Sequence, residues 1–230
     1  NMFYGLSIEQ FEELSQKPEP LNPELIAHER IDPDGSGIIH HPYMIFEAYE
    51  PGCYAVANHW FKMKRDRIET ALAAGEWSKA FMFIEKPYYL EIIDQYAGRM
   101  SDEDYWSMLA IGYSHMEWLT PEGELLKKLF TVDRPGRSEY LMDEKERSAL
   151  AAMPEQITIY RGYQRPECRL GWSWTIDFEQ AKWFAKRFQE PGSGFIASAK
   201  VDKSNVIAYW TGRNESEILV LPENLIDVEG

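Results

Sequence analysis

The segment that decides the fold begins in the C-terminal third of the chain with Ile157-Thr158-Ile159-Tyr160-Arg161-Gly162. Its apolar residues alternate with polar residues, which predicts a β-strand that carries Arg161 near its end. Ser173-Trp174-Thr175 follows, just before a helix predicted from about Phe178 to Phe188. Further strands are predicted over residues 195–201, 206–208 and 217–221. Several short strands around one crossing helix indicate an α+β arrangement.

The residues that precede this segment have mainly the periodicity of helices. Ser7 and Gln10 form a capping box, and Ser101 followed by three acidic residues predicts another helix start. Apolar residues recur at helical spacing along much of this part of the chain. The pattern predicts a mainly helical N-terminal region over residues 2–153, packed on a core over residues 154–230. The alternative is one integrated domain over residues 2–230.

Two polar segments of the N-terminal region contain residue types that bind metals. Asp32-Pro33-Asp34-Gly35-Ser36-Gly37 resembles the start of an EF-hand calcium loop, but Tyr43 stands where that loop needs a bidentate glutamate. His40-His41 has no second pair of ligands at a suitable spacing. We therefore expect a polar turn, histidines that are hydrogen-bonded or face solvent, and no bound metal.

The composition narrows the classes of function and location. The 230 residues carry a formal net charge of −14, which argues against nucleic acid as the main partner, because phosphate binding favours a basic surface. Cys53 and Cys168 are far apart in the chain and predict free thiols in a reducing cytoplasm. We expect no membrane association, because no apolar run is long enough for a span and no signal peptide is recognisable.

Three motifs of the C-terminal part combine residue types that packing alone does not require. An arginine at a strand end, such as Arg161, can bind phosphate through paired charged hydrogen bonds. Ser173 and Thr175 on an extended segment would present both hydroxyls on one face. Glu215 and Glu217 on extended backbone would likewise share a face, roughly 7 Å apart. Two carboxylates so close repel each other unless a cation or a reaction requires them.

These three motifs resemble the active site of a known enzyme class. Tyr160-Arg161-Gly162, Ser173-Trp174-Thr175 and Glu215-Ser216-Glu217 are similar in order, spacing and strand context to the arginine–serine–glutamate class of mono-ADP-ribosyltransferases, which includes bacterial and phage toxins. The resemblance covers roughly residues 154–228. It implies a glycosyltransferase whose substrate NAD binds in a cleft between two small antiparallel sheets. It also implies a cytoplasmic effector or toxin.

The resemblance assigns a role toward NAD to five residues. Arg161 would hold the NAD phosphates, and the backbone of Gly162 would hold the nicotinamide amide. Ser173 would orient Glu217, and Thr175 would support the sheet. Glu217 would bind the 2′-hydroxyl of the nicotinamide ribose and stabilise the positive charge that develops as nicotinamide leaves. Carboxylates lie beside a similar cation in glycosidases.

The resemblance also assigns residues to the acceptor. Glu215 would position or deprotonate it. The loop over residues 209–214 occupies the target-recognition position, where Tyr209 and Trp210 would present a flat aromatic surface. Trp174 replaces a small residue of the class, and we expect it either to narrow the pocket or to stack on the cofactor. The aromatic residues that we consider for packing on nicotinamide are Phe184, Phe188 and Phe195.

Several alternatives stay open at this point. Within the class, Glu-x-Glu accompanies arginine acceptors, which favours an arginine side chain of a target protein. The alternatives are ADP-ribosylation of RNA or DNA, hydrolysis of NAD by a glycohydrolase, and a non-catalytic interaction module. We expect the N-terminal helices to pack beside the NAD site. The alternative is that they dock a target or an antitoxin-like partner.

Overall fold

The computed structural model describes residues 6–115, 123–187, 194–212 and 215–230. In these ranges several helices accompany two antiparallel sheets, one of three strands and one of six, which confirms the α+β class. The chain divides into two compact units, Asn1–Met100 and Ser101–Gly230. Within the described ranges, none of the helices combines the length and the apolar composition that crossing a bilayer requires.

The first unit contains four helices and one sheet in its described part. The elements are α1 (Ile8–Ser15), β1 (Glu29–Ile31), β2 (Gly37–His41), β3 (Met44–Tyr49), α2 (Ala55–Ala74), α3 (Trp77–Phe81) and α4 (Tyr89–Tyr96). Ser7 caps α1 in the predicted capping box with Gln10. The core between the sheet and α2 is made of Leu21, Leu25, Ile39, Met44, Tyr49, Ala57 and Phe61.

The prediction of a mainly helical region over residues 2–153 did not include the three-stranded sheet of the first unit. β1 and β2 form an antiparallel hairpin around the predicted polar turn, in which Gly35 has a φ of 88° and Asp34 accepts a hydrogen bond from the backbone of Ser36 at 2.9 Å. An Asp-Gly turn between apolar residues is a strong hairpin signal. The turn was predicted, but its flanking strands are too short to show a clear alternation.

The second unit contains five helices and six strands in its described part. The elements are α5 (Asp102–Ser114), α6 (Glu124–Thr131), α7 (Arg137–Leu141), α8 (Glu144–Ala152), β4 (Gln156–Tyr163), β5 (Ser173–Thr175), α9 (Phe178–Lys186), β6 (Phe195–Asp202), β7 (Val206–Trp210), β8 (Glu217–Val220) and β9 (Ile226–Glu229). The strand order is β7-β8-β5-β4-β6-β9, with every pairing antiparallel.

The six strands form two groups of three, β7-β8-β5 and β4-β6-β9, that are joined at one point between β5 and β4. β4 pairs with β6 over its whole length, but its recorded register with β5 is the single pair Tyr160↔Thr175. The strands predicted over 154–230 therefore lie in one sheet, and this sheet is weakly joined in its middle. Arg161 and Gly162 follow immediately after the joining pair, where β4 and β5 separate.

The compact units divide at Met100, not at the change of pattern near residue 153. Helices α5 to α8 belong to the same unit as the strands. Two of them, α7 and α8, form hydrogen bonds with the end of β7. Trp210 of β7 donates its indole N–H to the carbonyl of Leu141 at 2.6 Å. The backbone N–H of Thr211 donates to the carboxylate of Glu146 in α8 at 2.8 Å. Residues 101–153 are thus part of the unit that holds the three motifs.

Candidate active site

Arg161 is held at the gap between β4 and β5 by two backbone carbonyl groups. Its Nε donates to the carbonyl of Cys168 at 2.9 Å, and its Nη1 donates to the carbonyl of Ser173. Removal from water lowers the pKa of the guanidinium, while Tyr113 and Glu217 are among the groups that act in the opposite direction. An arginine has five N–H donors in a planar fork. The two carbonyl bonds therefore orient the group and leave donors for an anion.

Gly171 makes room for the Arg161 head group. A Cβ atom at this position would lie 2.8 Å from Nε of Arg161 and still closer to Cζ and Nη2. Real side-chain carbons do not approach other heavy atoms so closely, so glycine is required while Arg161 keeps this position. The sequence analysis did not assign this role to Gly171.

Glu217 is the first residue of β8 and lies beside Thr175 of β5 and Trp210 of β7 in the sheet register. The hydroxyl of Tyr113 donates to its Oε1 at 3.0 Å. Burial is the largest influence on this carboxyl and raises its pKa, and the charge of Glu215 raises it further. Hydrogen bonding from Ser173 and Tyr113 and the charge of Arg161 lower it. The predicted triad of Arg161, Ser173 and Glu217 therefore meets in one place.

Tyr113 of α5 is a site residue that sequence reasoning missed. It is buried, and its ring lies 5.1 Å from that of Trp210 and 5.7 Å from that of Phe130. Burial and the neighbouring Glu217 raise the pKa of its hydroxyl well above the usual value, so Tyr113 remains a neutral donor. The available signal was its helical spacing from Leu109, since a buried tyrosine hydroxyl usually has a hydrogen-bond partner.

Thr175 organises the segment that carries Glu215. Its hydroxyl donates to the carbonyl of Glu215 at 2.8 Å and accepts from the backbone of Asp177 at 3.1 Å. Ser216 has a left-handed φ of 45°, which is uncommon for a residue other than glycine. The prediction of an extended Glu-x-Glu is therefore wrong: β8 begins only at Glu217, and the backbone turns at Ser216. Glu215 still lies close enough to raise the pKa of Glu217.

Gly162 lies where α9 packs directly on β4. A Cβ atom here would lie closer than 3 Å to the carbonyl oxygen of Ala181 and to the backbone nitrogen of Ala185. The glycine is thus needed for this close approach of helix and strand. Because Gly162 follows the joining pair Tyr160↔Thr175, its backbone also borders the side of β4 from which β5 has diverged.

The two predicted acceptor residues do not form an exposed aromatic surface. Tyr209 is only 6% exposed, and its backbone N–H faces the sulfur of Met142 at 3.2 Å. Trp210 is half-buried between Leu141 and Tyr113. Both residues lie in β7, which rests on α7 and α8, and the Trp210 ring packs against Tyr113 of the site. Of the other residues of the predicted recognition loop, Thr211 and Gly212 are exposed, and Arg213 and Asn214 lie outside the described residues.

The remaining aromatic predictions have mixed outcomes. Trp174 is 2% exposed and donates its indole N–H to the carbonyl of Gly171 at 2.8 Å, so it is a core residue and neither narrows a pocket nor offers a stacking face. Phe195 is 53% exposed and stacks on Tyr163 with ring centroids 5.5 Å apart. Phe184 is half-buried in α9, and Phe188 lies outside the described residues.

The site offers charged and hydroxyl groups, and the described ranges contain no cluster of three or more His, Cys, Asp or Glu side chains that could hold a metal. His41, one of the histidines considered for metal binding, instead accepts a hydrogen bond from the backbone of Tyr43 at 3.0 Å. What the site brings together is a cation, a half-buried carboxylate and two hydroxyl groups. Such a set can bind an anionic substrate and stabilise positive charge that develops beside it.

Comparison of the chain with models of protein families, with curated proteins and with solved structures found no match in any of the three. A functional assignment therefore depends on the geometry of Arg161, Ser173, Glu217 and Tyr113, and on the resemblance of the three motifs.

Proposed function

We propose that the chain is a mono-ADP-ribosyltransferase that cleaves NAD and transfers ADP-ribose to an arginine side chain of a target protein. The observation that carries the proposal is the meeting of Arg161, Ser173 and Glu217, which come from three strands and match the three motifs of that enzyme class. An isolated arginine or glutamate on a strand has many structural uses. A half-buried carboxylate with a raised pKa beside a guanidinium and two hydroxyls is instead a combination that marks a candidate active site.

On this proposal the gap between β4 and β5 receives NAD. Arg161 would bind the phosphates with the donors that its two carbonyl partners leave, because a fixed guanidinium suits phosphate oxygens. The backbone of Gly162, at the side of β4 where β5 has diverged, would meet the nicotinamide amide. The proposed ADP-ribosyltransferase-like fold has two small sheets, and the two weakly joined groups of strands support that description.

Glu217 would supply the electrostatic part of the reaction. The bond between the ribose C1′ and the nicotinamide nitrogen breaks, and its electron pair leaves with nicotinamide. The carboxylate of Glu217 would stabilise the positive charge left on the ribose. A nitrogen of the acceptor arginine would then bond to C1′ and lose one proton, which Glu215 would receive. The raised pKa of Glu217 predicts that activity falls at acidic pH, as this carboxylate becomes protonated.

NAD glycohydrolase activity is the second candidate, and one observation favours it. Tyr209 is buried and Trp210 packs beside Tyr113, so the aromatic surface predicted for a macromolecular acceptor is not present in β7. Water would then take the place of the acceptor nitrogen at C1′. Release of nicotinamide is common to both candidates, and only the fate of ADP-ribose separates them.

The proposed biological setting follows from the resemblance alone. We place the enzyme in the cytoplasm as a bacterial or phage effector or toxin. The unit Asn1–Met100 would then serve to dock a target or an antitoxin-like partner, since the motif residues all lie in the other unit.

The test is transfer of labelled ADP-ribose from NAD in a whole-cell lysate. Wild type is compared with Glu217→Gln and with Glu223→Gln, a matched change of an exposed carboxylate in the same unit that pairs with Lys127. We expect label that is resistant to nuclease, sensitive to protease, present with Glu223→Gln and absent with Glu217→Gln. Label that survives protease but not nuclease would move the acceptor to nucleic acid. Equal labelling by wild type and Glu217→Gln would refute the proposed site.

A further inference from the structure

Tyr113 reaches the candidate site from a helix that the three motifs do not include. It lies 104 residues before Glu217 in the chain, and its hydroxyl donates to Oε1 of that carboxylate at 3.0 Å. The ring is fixed on two sides, by Trp210 at 5.1 Å and by Phe130 at 5.7 Å. A buried donor whose ring cannot turn away holds its acceptor in one orientation.

Helix α5 is itself firmly placed in its unit. Ser101 caps its first turn, accepting from the backbone of Asp104 at 3.1 Å. Tyr105 donates its hydroxyl to the carbonyl of Leu129 at 2.8 Å, and Trp106 donates its indole N–H to the carbonyl of Pro135 at 2.7 Å. These bonds lock the buried face of the helix, so that the position of Tyr113 is set by the packing of α5 and not by Glu217 alone.

We propose that Tyr113 is a positioning residue that fixes one oxygen of the Glu217 carboxylate and directs the other oxygen to the substrate. The inference depends on the proposed function, in which the Glu217 carboxylate stabilises positive charge on the ribose. It adds a residue from outside the motif region to that site. The catalytic unit then extends from residue 101, because a core over residues 154–230 lacks the hydroxyl.

The hydrogen bond also favours the ionised form of Glu217. Four groups face this carboxyl: Tyr113 from α5, Ser173 from β5, Arg161 from β4, and Glu215 from the segment before β8. Burial and the charge of Glu215 favour the protonated form, while the two hydroxyls and the guanidinium favour the carboxylate. Without the Tyr113 hydroxyl, only Ser173 and Arg161 would favour the carboxylate, while burial and Glu215 would still favour the protonated form. The carboxylate would then bind its proton at a higher pH.

Tyr105 provides a matched control on the same helix. Both residues are buried tyrosines of α5 whose hydroxyls donate one hydrogen bond, but the acceptor of Tyr105 is the backbone of Leu129. Tyr105→Phe and Tyr113→Phe each remove one oxygen atom from a packed interior. A general loss of packing or of helix stability should affect both variants, whereas an effect on Glu217 should be confined to Tyr113→Phe.

The experiment measures nicotinamide release from NAD by the full chain at several pH values, with kcat and KM determined separately. For Tyr113→Phe we expect kcat to fall about 10-fold and the acidic limb of the pH profile to move up by about one pH unit, while KM stays within about twofold. Tyr105→Phe should retain the wild-type profile. An unchanged kcat and acidic limb in Tyr113→Phe would overturn the inference, as would equal losses in both variants.

A second readout does not require activity. The Glu217 carboxyl carbon can be followed by NMR titration, assigned with Glu217→Gln, in wild type and Tyr113→Phe. We expect a higher titration midpoint in Tyr113→Phe, and equal midpoints would refute the positioning role. If wild type releases no nicotinamide but the midpoint moves, the hydrogen bond is real and the proposed function is wrong. The two failures are thereby distinguishable.

Discussion

Replacement of Gly171 by alanine should disable the site without unfolding the protein. The new Cβ atom would lie 2.8 Å from Nε of Arg161 and closer still to Cζ and Nη2. Carbon atoms in contact stay about 3.5–4.0 Å from their neighbours, so the guanidinium must move by about 1 Å. The obstacle is the far end of a flexible side chain, which can move without displacing the backbone.

The displacement has two measurable consequences. The hydrogen bonds from Arg161 to the carbonyls of Cys168 and Ser173 would be strained or lost, which should cost about 1–3 kcal/mol of unfolding free energy. A misplacement of about 1 Å in a substrate-binding group can lower a reaction rate about 100-fold. We therefore expect nicotinamide release to fall far more than stability does.

The assay compares Gly171→Ala with Gly98→Ala, a glycine that has nothing within 4 Å of an added Cβ atom. Nicotinamide release and chemical denaturation are measured for both variants and for wild type. Gly98→Ala should behave as wild type in both. Wild-type behaviour of Gly171→Ala in both assays would mean that Arg161 does not occupy this position beside Gly171.

Three further predictions concern the stability of the two units. Gly162→Ala should destabilise the protein by about 3 kcal/mol in chemical denaturation, because its Cβ atom would collide with the backbone of α9, which cannot rotate away. Burial, with the charge of His28, lowers the pKa of His41 to about 4 from an ordinary 6.5, so the unfolded chain binds the proton more readily. Stability should fall by about 2 kcal/mol as the pH drops from about 6.5 to about 4, and the fall should be smaller in His41→Asn, whose Oδ1 can replace Nδ1 as an acceptor. A fragment of residues 101–230 should be soluble and show cooperative thermal unfolding, whereas residues 154–230 should not, because β7 rests on α7 and α8.

The strands that carry the motifs could be predicted from the sequence because their environment is simple. Ile157 and Ile159 face the core and alternate with residues that do not, so a period of two is visible. The start of α9 was predictable because Asp177 caps it, accepting from the backbone of Glu179 at 2.8 Å. Local chemistry determines these features, and local chemistry can be read from a single sequence.

Features that depend on distant parts of the chain were not predictable. The bond from Tyr113 to Glu217 spans 104 residues, and nothing near Tyr113 distinguishes it from other buried tyrosines of the helices. The left-handed Ser216 was missed because its conformation is set by the hydroxyl of Thr175 and the backbone of Ile176, which hold the preceding turn. An extended Glu-x-Glu was the simplest assumption, and tertiary contacts override it.

The sequence also did not show that helices cover the second face of β7. Tyr209 and Trp210 were predicted at an acceptor surface because the resemblance places the target-recognition loop over residues 209–214. Helices α7 and α8 cover this strand instead, and they were assigned to a separate region of the chain. The covering of β7 by α7 and α8 therefore explains both the burial of Tyr209 and the inclusion of these helices in the unit Ser101–Gly230.

The most direct test of the central claim is nicotinamide release from NAD by purified wild type, Glu217→Gln and Glu223→Gln at neutral pH, followed by chromatography. We expect release by wild type and by Glu223→Gln, and a loss of at least about 100-fold in Glu217→Gln, since removal of charge stabilisation at a reacting centre has that magnitude. Glu217→Gln should remain folded, because a neutral amide suits a half-buried site better than a carboxylate with a raised pKa. Release by Glu217→Gln at the wild-type rate, or no release by any of the three proteins, would contradict the central claim.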